Sequence, residues 1–208
     1  MVPRDKISTL FNDAVVKAKQ FDDIFEIVTA KGNIKYVRAI GVPIVKNGKV
    51  VSVNGLFQDV DSETRLNQKL KLQEEQFRQT FEFAAIGMAI VGLNGKWVQV
   101  NKSITKMLGY TEAELMQLTF QDITHPEDLK NDIDLLDNLV NRKIEAYTME
   151  KRYFHKDGST IWASLSVSMV SDNNGKPKHF VSQINNISEA KANAKLSKES
   201  LLKLEDQN

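Results

Sequence analysis

The chain has 208 residues, 41% hydrophobic and 26% charged, which allows one full domain with an addition or two small domains. Twenty-eight Lys and Arg face 27 Asp and Glu, a formal net charge of +1, so nothing in the charge balance argues for a nucleic-acid or anionic-membrane partner. There is no cysteine, which excludes disulfides, thiolate nucleophiles and Cys-ligated metal sites; no apolar run reaches the ~18 residues of a membrane span and no signal-peptide core opens the chain, so a cytoplasmic location is expected.

In chain order, Ile7, Leu10, Ala14 and Ala18 share one face of a helix. Three strands are expected after it, over 22–31, 34–46 and 49–60, with Gly32 and Asn47-Gly48 at the turns. Residues 62–81 contain neither Gly nor Pro, and Leu66, Leu70, Gln73 and Phe77 step by 4, 3 and 4, a heptad seam with one polar position. This spacing predicts a linking amphipathic helix over 62–83.

A longer run of elements fills 84–188. Ile86–Leu93 is short and apolar, Asn94-Gly95 is a two-residue hairpin signal, and Trp97–Asn101 reads as the returning strand. Asn101 is suited to N-cap a short helix over 102–108, which Gly109 stops. Thr111 and Glu114 make a capping box for a second short helix. Pro126 suits the first position of a third helix, with Glu127 and Asp128 in its first turn and Leu129, Ile133, Leu136 and Val140 on one apolar face. Strands follow over 145–155, 160–171 and 178–187, turned at Lys156-Asp157-Gly158 and Asp172–Gly175. In the middle strand Ile161, Ala163, Leu165, Val167 and Met169 alternate with Trp162 and serines, giving one buried face. The heptad rhythm then returns at Ala190, Ala194, Ser197, Leu201 and Leu204, an exit helix over 189–208. Strands and helices segregated in this way give an antiparallel sheet with helices on one face, an α+β fold.

Two stretches repeat one another. Phe25–Tyr36 answers Lys151–Trp162: Gly158 − Gly32 and Trp162 − Tyr36 both equal 126. Asn47-Gly48-Lys49 answers Asn174-Gly175-Lys176 at 127, as does Gln58–Asp61 with Asn185–Ser188; Val2–Asp5 answers His125–Asp128 at 123. The second copy carries residues 84–124 ahead of its Pro-Glu-Asp and the first does not. Residue 1 is therefore expected to fall inside a domain, and the chain to be a piece of a longer protein.

Residues 77–190 resemble a PAS domain of the bacterial sensory type. The resemblance rests on Phe77–Phe81, Ile86–Ile90, Asn94–Trp97, Val100-Asn101, Leu108-Gly109-Tyr110, Glu112–Leu115, His125–Asp128, Glu150–Arg152, Lys156–Gly158 and Asn186–Glu189, in that order. Residues 1–61 resemble the C-terminal part of another PAS domain. The Asp-Ile-Thr signature that closes such domains reads Asp59-Val60-Asp61 in the first copy and Asn186-Ile187-Ser188 in the second, so the second lacks its acidic side chain. The resemblance implies a five-stranded antiparallel sheet with helices on one face. It also implies a non-catalytic sensory, dimerisation and relay module, acting on a downstream histidine kinase or diguanylate cyclase domain of the same chain. A homodimer is expected, its seam formed by Leu66, Leu70, Phe77, Ala194, Leu201 and Leu204; Ser188 or Asn186 is expected to cap or brace the exit helix.

His125, His155 and His179 lack the spacing of a zinc site, and no metal is expected. The carboxylates fall at helix starts, turns and solvated faces, and no phosphate-cradling loop or nucleophile-elbow motif is present, which disfavours an enzyme. The remaining site is the hollow between sheet and helices, expected to be lined by Met88, Ile90, Val98, Ile104, Met107, Leu108, Leu115, Phe120, Ile123, Leu129, Ile133, Trp162, Phe180 and Ile184. Large side chains dominate that set, with Arg152, Ser164, Ser166, Ser182 and Gln183 as the main polar groups, so a filled core without cofactor is favoured. Flavin or a small metabolite is the alternative. The absent cysteine excludes a flavin photoadduct, and haem is disfavoured because neither His125 nor His155 falls within the long helix.

Overall fold

The computed structural model describes the backbone of residues 3–205 and the side chains of residues 6–200, 202 and 203. The chain forms two units, Met1–Gln76 and Phe77–Asn208. In the first, α1 (Pro3–Lys17) precedes β1 (Phe21–Val28), β2 (Ile34–Lys46) and β3 (Lys49–Asp59), an antiparallel sheet in the order β1-β2-β3. The face bearing Phe25 meets α1, whose Lys6 Nζ lies 5.4 Å from the Phe25 ring centre. Ala14, Phe25, Ala39 and Val60 are buried there. The linking helix α2 (Asp61–Glu82) has the predicted extent to within a residue.

In the second unit, β4 (Gly87–Gly92) and β5 (Trp97–Val100) form the hairpin around Asn94-Gly95. Three short helices follow: α3 (Lys102–Leu108), α4 (Glu112–Leu115) and α5 (Phe120–Ile123). Asn101 caps α3 by accepting from the Ile104 N–H, and Gly109 ends it at φ 76°. Thr111 and Glu114 form the expected capping box; Thr119 and Asp122 form a second one ahead of α5. The longer helix α6 (Pro126–Val140) starts with proline, and β6 (Ala146–Phe154), β7 (Thr160–Ser171) and β8 (Pro177–Asn186) complete a five-stranded antiparallel sheet in the order β5-β4-β8-β7-β6. The chain leaves through α7 (Ser188–Glu205).

The repeat read from sequence is a repeat of geometry. Glu26 pairs with Tyr36 as Arg152 pairs with Trp162, and Arg38 with Gln58 as Ser164 with Asn185, so both ladders keep one register. The sheet bulges at Ile44/Val45 and at Val170/Ser171, again 126 apart. Gly32 and Gly158 make the same turn at φ 83° and 87°, where a side chain would be strained.

Candidate functional site

The core of the second unit holds nine of the predicted lining residues. Ile104, Leu108, Leu115, Phe120, Ile123, Phe180 and Ile184 are buried in it, and Met107 and Leu129 pack against it. The other five lie elsewhere. In β4 it is Gly87, Ala89 and Val91 that face inward, so Met88 and Ile90 project from the opposite face of the sheet. The inner positions are small because the helices come close: a Cβ on Gly87 would lie 2.5 Å from Ile104 Cδ1. Where β4 pairs with β5 the register shifts between Ile90 and Val91, which turns both Trp97 and Val100 inward and leaves Val98 58% exposed. Trp162 alternates with the buried Ile161 and Ala163 and lies on the outer face, between the Arg152 guanidinium (5.2 Å) and the Lys191 ammonium (5.0 Å). Ile133 and Val140 flank α6 as exposed residues, because that helix buries Asp132 and Leu139 instead.

Asp132 belongs to a polar cluster that the sequence reading missed. Asp132 and Lys151 are each 1% exposed, and Lys151 Nζ donates to Asp132 Oδ2 at 2.5 Å and to Thr124 Oγ1 at 3.1 Å. Tyr147 Oη donates to Asp132 Oδ1 at 2.7 Å, and the ammonium lies 4.3 Å from the Tyr153 ring centre and 5.1 Å from that of Phe120. Burial lowers the Lys151 pKa against the opposing pull of Asp132. Burial, then the Asp132 charge, raises the Tyr147 phenol; burial likewise raises that of Tyr153. The available signal was alternation: Tyr147, Lys151 and Tyr153 share one face of β6.

These side chains line a cavity closed by Val91, Trp97, Phe120, Leu136, Leu165, Val167, Phe180, Ser182 and Ile184, in which about 20 Å³ is open to the centre of a water molecule. The buried Trp97 Nε1–H has no partner among the described residues. Of the polar residues expected around a ligand, only Ser182 lines this cavity. Ser164 and Ser166 alternate to the outer face, as does the exposed Gln183, while Arg152 grips Asp128 through its Nε (2.9 Å) and Nη2 (2.8 Å). That guanidinium holds the Asp128 carboxyl below its usual range.

Two tethers tie helices to this core. The buried Asn101 side chain donates to Phe81 O and Ile86 O, both at 3.0 Å, and accepts from Met88 N (3.0 Å) and Ile104 N (3.2 Å), joining the end of α2 to β4 and α3. At the other end Ser188 Oγ accepts from Trp162 N at 3.0 Å, Ile187 N donates to Trp162 O at 2.9 Å, and Asn186 Oδ1 accepts from Ser188 N at 2.9 Å. Ser188 therefore braces α7 against β7 instead of capping the helix. The first unit builds the same brace with Asp61 accepting from Tyr36 N (3.1 Å) and Asp59 accepting from Asp61 N (3.0 Å).

His125 caps α6, accepting from Glu127 N, and its ring lies tilted against that of Phe154, with centroids 5.4 Å apart; His155 Nδ1 lies 2.9 Å from Asp157. Among the described residues no cluster of His, Asp and Glu could hold a metal ion. Nor is any described helix long and apolar enough to cross a membrane.

Residues 98–184 match the family model described as the PAS fold. A PAS domain from Colwellia psychrerythraea superposes with a TM-score of 0.52 at 18% identity, covering 55% of this chain and 97% of its own. The second unit is a PAS domain. Over 118 residues, 57% of its length, the chain is 46% identical to the probable diguanylate cyclase DgcE of Escherichia coli (strain K12). Over 135 residues, 64% of its length, the chain is 30% identical to the sensor histidine kinase TmoS of Ectopseudomonas mendocina. The chain spans only 11% and 14% of these relatives.

Proposed function

We propose that the chain is a sensory and relay module of a cytoplasmic signal-transduction protein, in which the PAS domain biases α7 and through it an output domain on the same polypeptide. The observation that carries this reading is the brace at Trp162 and Ser188, which couples the sheet to the first turn of the outgoing helix by three hydrogen bonds. A change in sheet twist or core packing reaches α7 directly through it. Two relatives, one a diguanylate cyclase and one a histidine kinase, support an output domain of either kind. Catalysis belongs to that domain.

The exposed Leu66, Leu70, Phe77 and Ala194 support a homodimer joined along the helices. Leu201 and Leu204 continue the seam in sequence, and their side chains lie outside the described residues. The test is phase. One residue inserted after Lys195 in the intact parent protein rotates everything beyond it by about 100°, whereas seven restore the seam. Output activity is expected to change with one and return with seven; activity indifferent to the single insertion would defeat the relay.

The unpartnered Trp97 N–H favours a second reading, a small polar molecule in the cavity. The room there suits about one water, whereas ligand pockets run to roughly 300–1,000 Å³. That supports a cofactor-free core over flavin or haem, and an absorption spectrum of the purified protein distinguishes them.

A further inference from the structure

Two cations converge on the half-buried ring of Trp162. Arg152 lies across from it in register on β6, with its guanidinium 5.2 Å from the ring centre. Lys191, in the first turn of α7, brings its ammonium to 5.0 Å. Each cation is held by its own carboxylates. Arg152 is gripped from the start of α6, by Asp128 at 2.8 and 2.9 Å and by Glu127 at 2.7 Å. Lys191 pairs with Glu150. The first unit repeats half of this arrangement. Tyr36 stands where Trp162 does (162 − 36 = 126), and Arg65 of the outgoing helix α2 lies 5.5 Å from the Tyr36 ring centre. Ala192 stands at the Arg65 position (192 − 65 = 127), so the contact recurs although the residue that makes it does not. Glu26 stands where Arg152 does (152 − 26 = 126) and offers no cation. A clasp on the outgoing helix is thus common to both units, and an arginine tie from that clasp to a preceding helix is built in the second.

We propose that Arg152 is a switch between α6 and α7, which competes with Lys191 for Glu150. Glu150 and Arg152 are two positions apart on β6 and so share one face, about 7 Å apart along the strand. Both side chains are long enough to close that distance. While Asp128 and Glu127 hold Arg152, Glu150 is left to Lys191, and the first turn of α7 is clasped to the sheet. When the start of α6 withdraws, the guanidinium loses both partners, and Glu150 is the carboxylate on its own strand face. Taking it leaves Lys191 unpaired beside a second cation and releases the first turn of α7. Asp128 is the controlling partner: its side chain is 16% exposed against 72% for Glu127, and solvent and salt weaken exposed pairs. The same helix carries Asp132 into the core to meet Lys151, so a change in core packing reaches Arg152 through α6. Small interaction energies suit such a device, because both of its states must be populated.

The switch rests on the reading that α7 carries the output, but it is tested on the 208-residue chain without an output domain, so the two can fail separately. Hydrogen exchange of the amides of Lys191–Lys195 reports whether the first turns of α7 are clasped, and the amides of β7 report overall stability. Asp128→Asn keeps an acceptor for the Arg152 N–H. It is expected to speed α7 exchange about two- to fivefold, the range of a partly exposed ion pair, with β7 unchanged. Lys191→Met is expected to do the same, and Asp128→Asn to add nothing to it. The deciding variant adds Arg152→Met to Asp128→Asn. With no arginine to take Glu150, Lys191 keeps it, and α7 exchange is expected to return to the parent value. A double variant as fast as Asp128→Asn, or faster, overturns the switch and leaves Asp128 a structural support of α6. Exchange in α7 that Asp128→Asn leaves unaltered, or quickens only in step with β7, overturns it as well.

Discussion

Lys151 and Asp132 are an expensive pair to bury. Two charges at 1% exposure lose their hydration, and the low-dielectric attraction between them returns only part of that cost. The fold does not require them: by the repeat, Phe25 occupies the Lys151 position in the first unit and is buried there. The pair does bind β6 to α6, with Tyr147 and Thr124 satisfying further positions on the two ions. Removing one partner leaves an uncompensated buried charge, so Lys151→Met or Asp132→Leu alone is expected to destabilise by about 3–5 kcal/mol. The double variant is expected to be near neutral, or more stable than the parent by about 1–4 kcal/mol. A double-mutant cycle by denaturant unfolding measures this; single and double variants that simply add would mean the two charges do not depend on one another. The sequence hid this cluster for a plain reason. A lysine in a strand is ordinarily read as pointing to water, and the tyrosines flanking Lys151 at period two were the only sign that it points in.

Elements were legible wherever local chemistry decides them. Asn94-Gly95, the Asn101 cap, the Thr111–Glu114 box, Pro126 and the turn glycines each place a boundary, and the strands of both copies fall within three residues of expectation. What local chemistry leaves open is which face of a short strand turns inward. Met88 and Ile90 are the larger apolar residues of β4, yet the inner positions go to Gly87, Ala89 and Val91 because α3 packs so near. That constraint comes from an element distant in sequence, as does the register shift that exposes Val98. The brace of α7 was half legible: Ser188 and Asn186 were the right residues, but the partner is the Trp162 backbone on β7. Ser188→Ala removes that acceptor and is expected to cost about 1 kcal/mol, read as a fall in Tm of about 4 °C. Ser188→Asp, which copies Asp61 of the first unit, is expected to keep the bond and the Tm. An unchanged Tm in Ser188→Ala would show that the Ile187–Trp162 backbone bond holds the helix alone.

At the scale of the whole molecule the homodimer is a claim about concentration. Leu66, Leu70 and Phe77 present an apolar stripe on α2 that remains open to solvent in the single chain, with Leu66 67% and Leu70 62% exposed. Helices with seams of two or three heptads are marginal alone, so the association they support is reversible and sensitive to each contact. A leucine fully buried at an interface contributes about 1.5–3 kcal/mol, and two-fold symmetry counts each substitution twice. Leu66→Lys with Leu70→Lys is therefore expected to raise the dimer Kd by far more than tenfold, while leaving the melting of the PAS domain unchanged because neither side chain belongs to its core. Sedimentation across a concentration series reads the first effect and calorimetry the second. Phe57→Lys serves as the control, since it lies on the β3 face and not on the helical seam. Loss of the dimer in Phe57→Lys but not in the leucine variants would move the interface to the first sheet, and a monomer at every concentration of the parent chain would remove the dimer altogether.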